Sequence, residues 1–197
     1  MKKAIFSLRG TSGSGKTTVA REFFSRYPVK TIPDPNGKKK PWGYEVDASK
    51  DGITQPIYLI GSYETVCGGC DNVSTQAEIV ERTMAAHGRG HVFIEGLLLS
   101  KAGPGGQTTQ AFAPTGDYSV GWLDTPLETC LERVVGRRQA RGDERPFDPT
   151  NTIDAYTGIR QACVNLHKAN IGVRVLTVPH TDAFNTVLDV YKQAERE

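Results

Sequence analysis

The sequence predicts an α/β fold built on a five-stranded, mainly parallel sheet with helices on both faces and an Arg-rich lid. Three observations carry that expectation. Short apolar runs alternate with stretches of helical periodicity along the chain. Each run is apolar almost throughout, as strands covered on both faces must be. The first run leads into a Gly-rich loop and then a helix. A length of 197 residues suits one domain, 1–197, and leaves little room for a second core.

Taken in order, residues 4–8 form the first strand, and residues 15–27 a helix with Val19, Ala20, Phe23 and Phe24 on one face, stopped by Pro28. Residues 31–43 hold three Pro, two Gly and three Lys and read as a mobile basic loop. Residues 56–62 give the second strand, 63–71 a loop, and Ser74 caps a helix that runs to about His87. The third strand is 91–95. Residues 101–110, rich in Gly, Thr and Gln, read as disordered or as a substrate loop. The fourth strand is 118–123; Thr125-Pro126 opens a helix to about Arg141, with Pro at its first position. A helix over 152–169, a strand over 173–178 and a helix over 182–195 complete the chain.

Composition excludes several classes. No stretch approaches the roughly 20 apolar residues of a membrane span. Met1 to Arg9 has the charge of a signal peptide but too short an apolar run, and four Cys without such a signal suggest a reducing, cytoplasmic setting. The net charge of +2 is too small to demonstrate a polyanionic partner; its distribution, at Lys38-Lys39-Lys40 and from Arg133 to Arg145, says more.

The strongest motif is Gly10-Thr11-Ser12-Gly13-Ser14-Gly15-Lys16-Thr17, a full G-x-x-x-x-G-K-[ST] between a strand and a helix. Such a P-loop turns successive backbone N–H groups toward phosphate, with the helix N-terminus adding positive potential. Lys16 reaches the β- and γ-phosphates of ATP, the Thr17 hydroxyl ligates Mg²⁺, and Thr18 lies nearer the α-phosphate. A GTPase should carry an Asn-Lys-x-Asp guanine clamp, which is missing, and a motor ATPase needs more chain than this. A kinase needs a core, an acceptor pocket and a water-excluding lid.

Glu95 ends a strand at the carboxyl edge of the sheet, where it reads as a Walker-B-like acid for Mg²⁺ or the acceptor hydroxyl, though Asp is usual there. Arg133, Arg137 and Arg141 make a basic helical stripe, with Arg138 beside it and Arg145 beyond Gly142. Arginines closing over a transferring phosphoryl group stabilise its charge, so 133–150 is read as the lid, with Arg133 on the nucleotide and Arg137 and Arg138 on the reaction. Glu132 and Glu128 lie nearby, so the same stripe suits a solvated helix face. Cys67-Gly68-Gly69-Cys70 lacks the second pair of a zinc site and reads as a tight turn that brings Glu64 and Asp71 to the acceptor. Asp34, Glu64, Asp71 and Glu95 all remain candidates for the general base. Val178-Pro179-His180-Thr181 occupies the position at which such kinases contact adenine.

Across nearly its whole length the chain resembles the nucleoside- and nucleotide-kinase-like P-loop family. The matching parts are Gly10 to Thr17, Leu123-Asp124-Thr125-Pro126 and the Arg133 to Arg145 lid. More narrowly, Gly61-Ser62-Tyr63-Glu64, Cys67-Gly68-Gly69-Cys70-Asp71 and Phe93-Ile94-Glu95-Gly96-Leu97-Leu98-Leu99-Ser100 are similar to bacteriophage P-loop kinases. Some of these phosphorylate the hydroxymethyl group of 5-hydroxymethyluracil in phage DNA. The resemblance implies ATP and Mg²⁺, and DNA with a modified pyrimidine as partner, with no obligate protein partner. A base inside a duplex must be flipped out and stacked, for which Tyr63, Trp42 and Tyr44 are candidates, while Lys38 to Lys40 would track the backbone. A free nucleotide acceptor and a slow nucleotide-hydrolysing switch module are the competing readings.

Overall fold

A computed structural model describes residues 1–65 and 68–197 of the chain. Its sheet has seven strands in the order β2-β3-β4-β5-β1-β6-β7: β1 (Ile5–Arg9), β2 (Val29–Ile32), β3 (Gly43–Val46), β4 (Ile57–Ile60), β5 (His91–Glu95), β6 (Tyr118–Leu123) and β7 (Arg174–Val178). The neighbours from β4 to β7 pair in parallel, whereas β2 pairs antiparallel with β3, and β3 with β4. Seven strands therefore replace the expected five. The two additions, β2 and β3, are four-residue strands that extend one side of the sheet, with β2 at its edge. β2 is half-buried at Val29 and Ile32 and exposed at Lys30 and Thr31, so it lacks the continuous apolar run that marks a central strand. The Pro, Gly and Lys of the intervening turn masked them further.

β1 lies between β5 and β6, and every one of its side chains is buried. Alternation sends Phe6 and Leu8 to one face and Ile5 to the other. The first face is covered by α1 (Lys16–Arg26) and α7 (Ala183–Arg196), where Phe23 meets Phe93 at 5.6 Å and Phe184 at 4.8 Å between ring centroids. Burying a ring such as Phe23 contributes about 1.5–3 kcal/mol, which fixes the helix that begins at the phosphate loop. The second face is covered by α2 (Gln76–His87), α3 (Leu97–Ser100), α4 (Gln107–Phe112) and α6 (Thr150–Ala169), through Ile79, Leu99, Phe112 and Ile159. α5 (Leu127–Gln139) follows β6.

Local capping corrects several boundaries. Thr75, not Ser74, caps α2, accepting from the Glu78 N–H at 3.1 Å. Pro126 occupies the cap position of α5 rather than its first turn. The segment 101–110, expected to be disordered or a substrate loop, ends in the first residues of α4, a helix whose later Phe112 is fully buried against Tyr118. The basic loop is also shorter than 31–43, because β2 and β3 take its ends, and it is tied down. Asp34, at 6% exposure, pairs with Arg82 at 2.7 Å; Lys38 pairs with Glu78 at 2.8 Å; Lys40 donates to Asn72 at 2.7 Å. No helix among the described residues is long and apolar enough to cross a membrane.

Candidate active site

The loop after β1 stands mid-sheet, at the carboxyl edge where the strand order switches direction. Gly13 and Gly15 adopt φ of +82° and +104°, a region that side-chain-bearing residues rarely enter. A Cβ at Gly13 would also collide with the Cys130 carbonyl of α5. The loop is braced from three sides. Ser100 Oγ accepts from the Gly10 N–H at 3.2 Å, Thr11 Oγ1 donates to the Thr152 carbonyl at 3.1 Å, and Thr125 Oγ1 donates to the Ser14 carbonyl at 2.7 Å. Ser12 is half-buried at the loop's tip. Lys16, only 8% exposed, donates to the Gly10 and Thr11 carbonyls at 2.7 and 3.1 Å. Burial holds its pKa below the usual lysine value.

Thr17 Oγ1 donates to Glu95 Oε1 at 3.1 Å. Glu95 is 1% exposed, and its carboxyl is pushed up to about 7, chiefly by burial; Lys16 opposes that rise and Asp71 adds to it. Gly69 explains part of the Cys-Gly-Gly-Cys turn. Its φ is +66°, and a Cβ there would lie 2.7 Å from both the Glu95 backbone carbonyl and Oε1. The second glycine of the turn therefore makes room for the carboxylate.

The four acids separate sharply. Asp71 is exposed, on the short turn Cys70–Asn72, and its Oδ1 accepts from the Leu97 N–H at 2.8 Å. Its charge reaches both Lys16 and Glu95. Asp34 is held by Arg82 of α2 and by the Asn36 N–H at 2.9 Å, so one oxygen is committed to α2 and the other to the hairpin loop. Glu64 is exposed, and its own N–H contacts Ser62 Oγ at 3.4 Å.

The arginines also divide. Arg133 donates to the Gly13 carbonyl at 3.2 Å, and Arg137 is near enough to Lys16 to depress its pKa. Arg138 turns away: it donates to the Arg145 carbonyl at 2.8 Å, pairs with Asp143 at 3.3 Å and stacks over Phe147. Thr18 is exposed on the first turn of α1. Arg21, which the sequence reading passed over, acts on Glu95 and donates to the Thr65 carbonyl at 2.9 Å. Its position four residues after Thr17, on the same helical face, is the signal that could have found it.

Two expected stacking aromatics are spent elsewhere. Tyr63 is 8% exposed and packs on Phe24 and Tyr44, and Tyr44 is 5% exposed with its hydroxyl accepting from the Tyr63 N–H. Trp42 stays half-buried beside Arg82. Cys70 is buried with Sγ toward the Ile60 carbonyl, and Cys67 lies outside the described residues. His180, after β7, is joined to Asp124 through its N–H at 2.7 Å and its ring at 3.0 Å, which fixes the loop where adenine contact was expected.

The chain is 35% identical over 195 residues to a 5-hmdU DNA kinase of Pseudomonas phage PaMx11, covering 94% of this chain and 96% of that protein. It belongs to the 5-hmdU DNA kinase family. A second member, from Pseudomonas phage M6, is 30% identical over 168 residues, 78% of this chain and 80% of the relative. No family model matches the chain. A gluconokinase from Sinorhizobium meliloti 1021 aligns over 98% of this chain and 94% of its own, at 14% identity and a TM-score of 0.41.

Proposed function

We propose that this chain transfers the γ-phosphoryl group of ATP to the 5-hydroxymethyl oxygen of 5-hmdU in DNA. The observation that carries the reading is the placement of Asp71. It is an exposed carboxylate, fixed by the Leu97 N–H, at the edge of the Lys16–Thr17–Glu95 centre of a chain 35% identical to a 5-hmdU DNA kinase. The loop amides and Lys16 hold the phosphates. Asp71 takes the proton of the hydroxymethyl O–H as that oxygen bonds to the γ-phosphorus, and the bond from the γ-phosphorus to the β-γ bridging oxygen breaks to release ADP. Arg133 and Arg137 meet charge on the transferring group. Two hard oxygen donors 3.1 Å apart, Thr17 Oγ1 and Glu95 Oε1, suit Mg²⁺, which would neutralise phosphate charge when bound.

A carboxyl pushed up to about 7 fits that arrangement, since a cation beside Glu95 favours its ionised form. The exposed Lys39 and Lys101 are suited to the DNA backbone, and Trp42 is the aromatic still available on the acceptor side. The reading treats residues 1–197 as one kinase domain, acting in the cytoplasm of an infected bacterium. Incubation with ATP and Mg²⁺ tests it, using 5-hmdU DNA, ordinary DNA and free 5-hmdU monophosphate, followed by nuclease digestion and mass analysis. Phosphate is expected on the modified base of DNA. Phosphate on the free monophosphate alone would replace the DNA acceptor with a nucleotide, and acceptor-independent ATP hydrolysis would indicate a switch module.

A further inference from the structure

We propose that Leu98 is the side chain that enters the base stack of a DNA duplex when 5-hmdU leaves it for the active site. The inference deepens the DNA base kinase reading and rests on it. Five large apolar side chains are exposed among the described residues: Met1, Met84, Leu98, Ile153 and Val164. Met1 is the chain terminus, and Met84, Ile153 and Val164 are each below 40% exposure on long helices. Leu98 is 63% exposed on the four-residue turn α3, directly after Glu95-Gly96.

That turn is held firmly. The Leu97 N–H is bound to Asp71, the Ser100 N–H and Oγ donate to the Gly96 carbonyl at 3.0 and 2.8 Å, and Ser100 Oγ accepts from the Gly10 N–H. Leu99 and Ser100 are buried while Leu98 is turned out. An apolar side chain is thus fixed in water one residue from the backbone group that orients the proposed base. Packing among the described residues gives it no reason to be leucine.

The reaction supplies one. A hydroxymethyl group on a stacked base must be brought to Asp71, and taking the base out of a duplex leaves a gap and an unstacked step. Apolar wedges such as leucine fill such gaps and stabilise the extruded state. The gap has to lie within a nucleotide of the pocket, which is where the turn sits, and Lys101 next along the chain is exposed for a flanking phosphate.

The test compares kcat/KM on a duplex carrying a single 5-hmdU with the same strand unpaired, for the wild type, Leu98→Ala and Leu98→Met. Fluorescence of 2-aminopurine placed beside the target reports unstacking. Leu98→Ala should lower the duplex-to-single-strand ratio about tenfold and suppress the fluorescence rise, with Leu98→Met within about twofold of wild type. Equal effects on both substrates, no effect on either, or a wild type confined to single strands would overturn the wedge while leaving the kinase reading intact. Absence of phosphate on both substrates in the wild type would remove that reading, and the wedge with it.

Discussion

Glu95 and Asp34 are both almost fully buried carboxylates, yet their surroundings are opposite. Asp34 meets a guanidinium at 2.7 Å, and the same Arg82 also binds Glu78 at 2.6 Å, which in turn holds Lys38. Every charge in that chain has a partner, and together they fasten the β2–β3 loop to α2. Glu95 has a hydroxyl at 3.1 Å and cations acting from farther off, and its carboxyl is pushed up to about 7. Glu78 is held down at about 2, by its hydrogen bond from Lys38 and by Arg82, against the opposing effect of burial. A carboxylate that structure has already satisfied does structural work. One kept buried and under-compensated beside a phosphate loop is suited to a charged ligand.

The largest effect that bears on this contrast comes from Lys16→Ala. Removing the cation that faces both the phosphates and Glu95 should cut the phosphoryl-transfer rate about a thousandfold in single-turnover experiments. Activity near wild type would break the assignment of this region as the phosphate site. Arg137 and Arg138 sharpen it at the next level. Arg137→Ala should lower kcat about tenfold to a hundredfold. Arg138→Ala should leave kcat within about threefold and instead make residues 140–149 more susceptible to protease, since it binds the Arg145 carbonyl and Asp143. A reversed pattern would place Arg138 on the substrate.

The smallest effect tests the ion-pair side. Because Glu78 titrates near 2 in the fold and near 4.5 unfolded, it stabilises the protein above pH 4.5, and that contribution fades as pH falls toward 2. Glu78→Gln should therefore cost about 1 kcal/mol at pH 7, with the two unfolding curves converging in acid. A difference that persists unchanged at pH 2 would mean that the carboxylate contributes by packing rather than charge.

Much of this was legible in the sequence, for physical reasons. The phosphate loop was, because its spacing is dictated by local backbone geometry, and so were the central strands β1, β4, β5 and β6, which are buried on both faces, and the edge strand β7, whose Val175-Leu176-Thr177-Val178 run stands out although only Val178 is buried. β2 and β3 were hidden, since β2 is a four-residue edge strand with no buried residue, and β3, though mostly buried, is only four residues long and opens on Gly43 directly after the Pro- and Lys-rich turn. The four acids could not be ranked, because the ranking depends on partners far away in sequence. Arg82 lies 48 residues from Asp34, and the Leu97 N–H lies 26 residues from Asp71. Two of the three aromatic stacking candidates are buried for a similar reason: Phe24, on α1, closes over Tyr44 and Tyr63 in a cluster that no local pattern announces.

The most direct test of the division between committed and available carboxylates is to measure kcat and unfolding free energy side by side for Asp71→Asn and Asp34→Asn. Asp71→Asn should lose about a hundredfold to a thousandfold in kcat on 5-hmdU DNA while its stability stays within about 0.5 kcal/mol of wild type. Asp34→Asn should lose about 3 kcal/mol of stability by leaving Arg82 under-compensated, with kcat of the folded protein within about threefold of wild type. The opposite pairing, a catalytic loss at Asp34 and a stable, fully active Asp71→Asn, would put the proton acceptor on the hairpin loop and contradict the assignment.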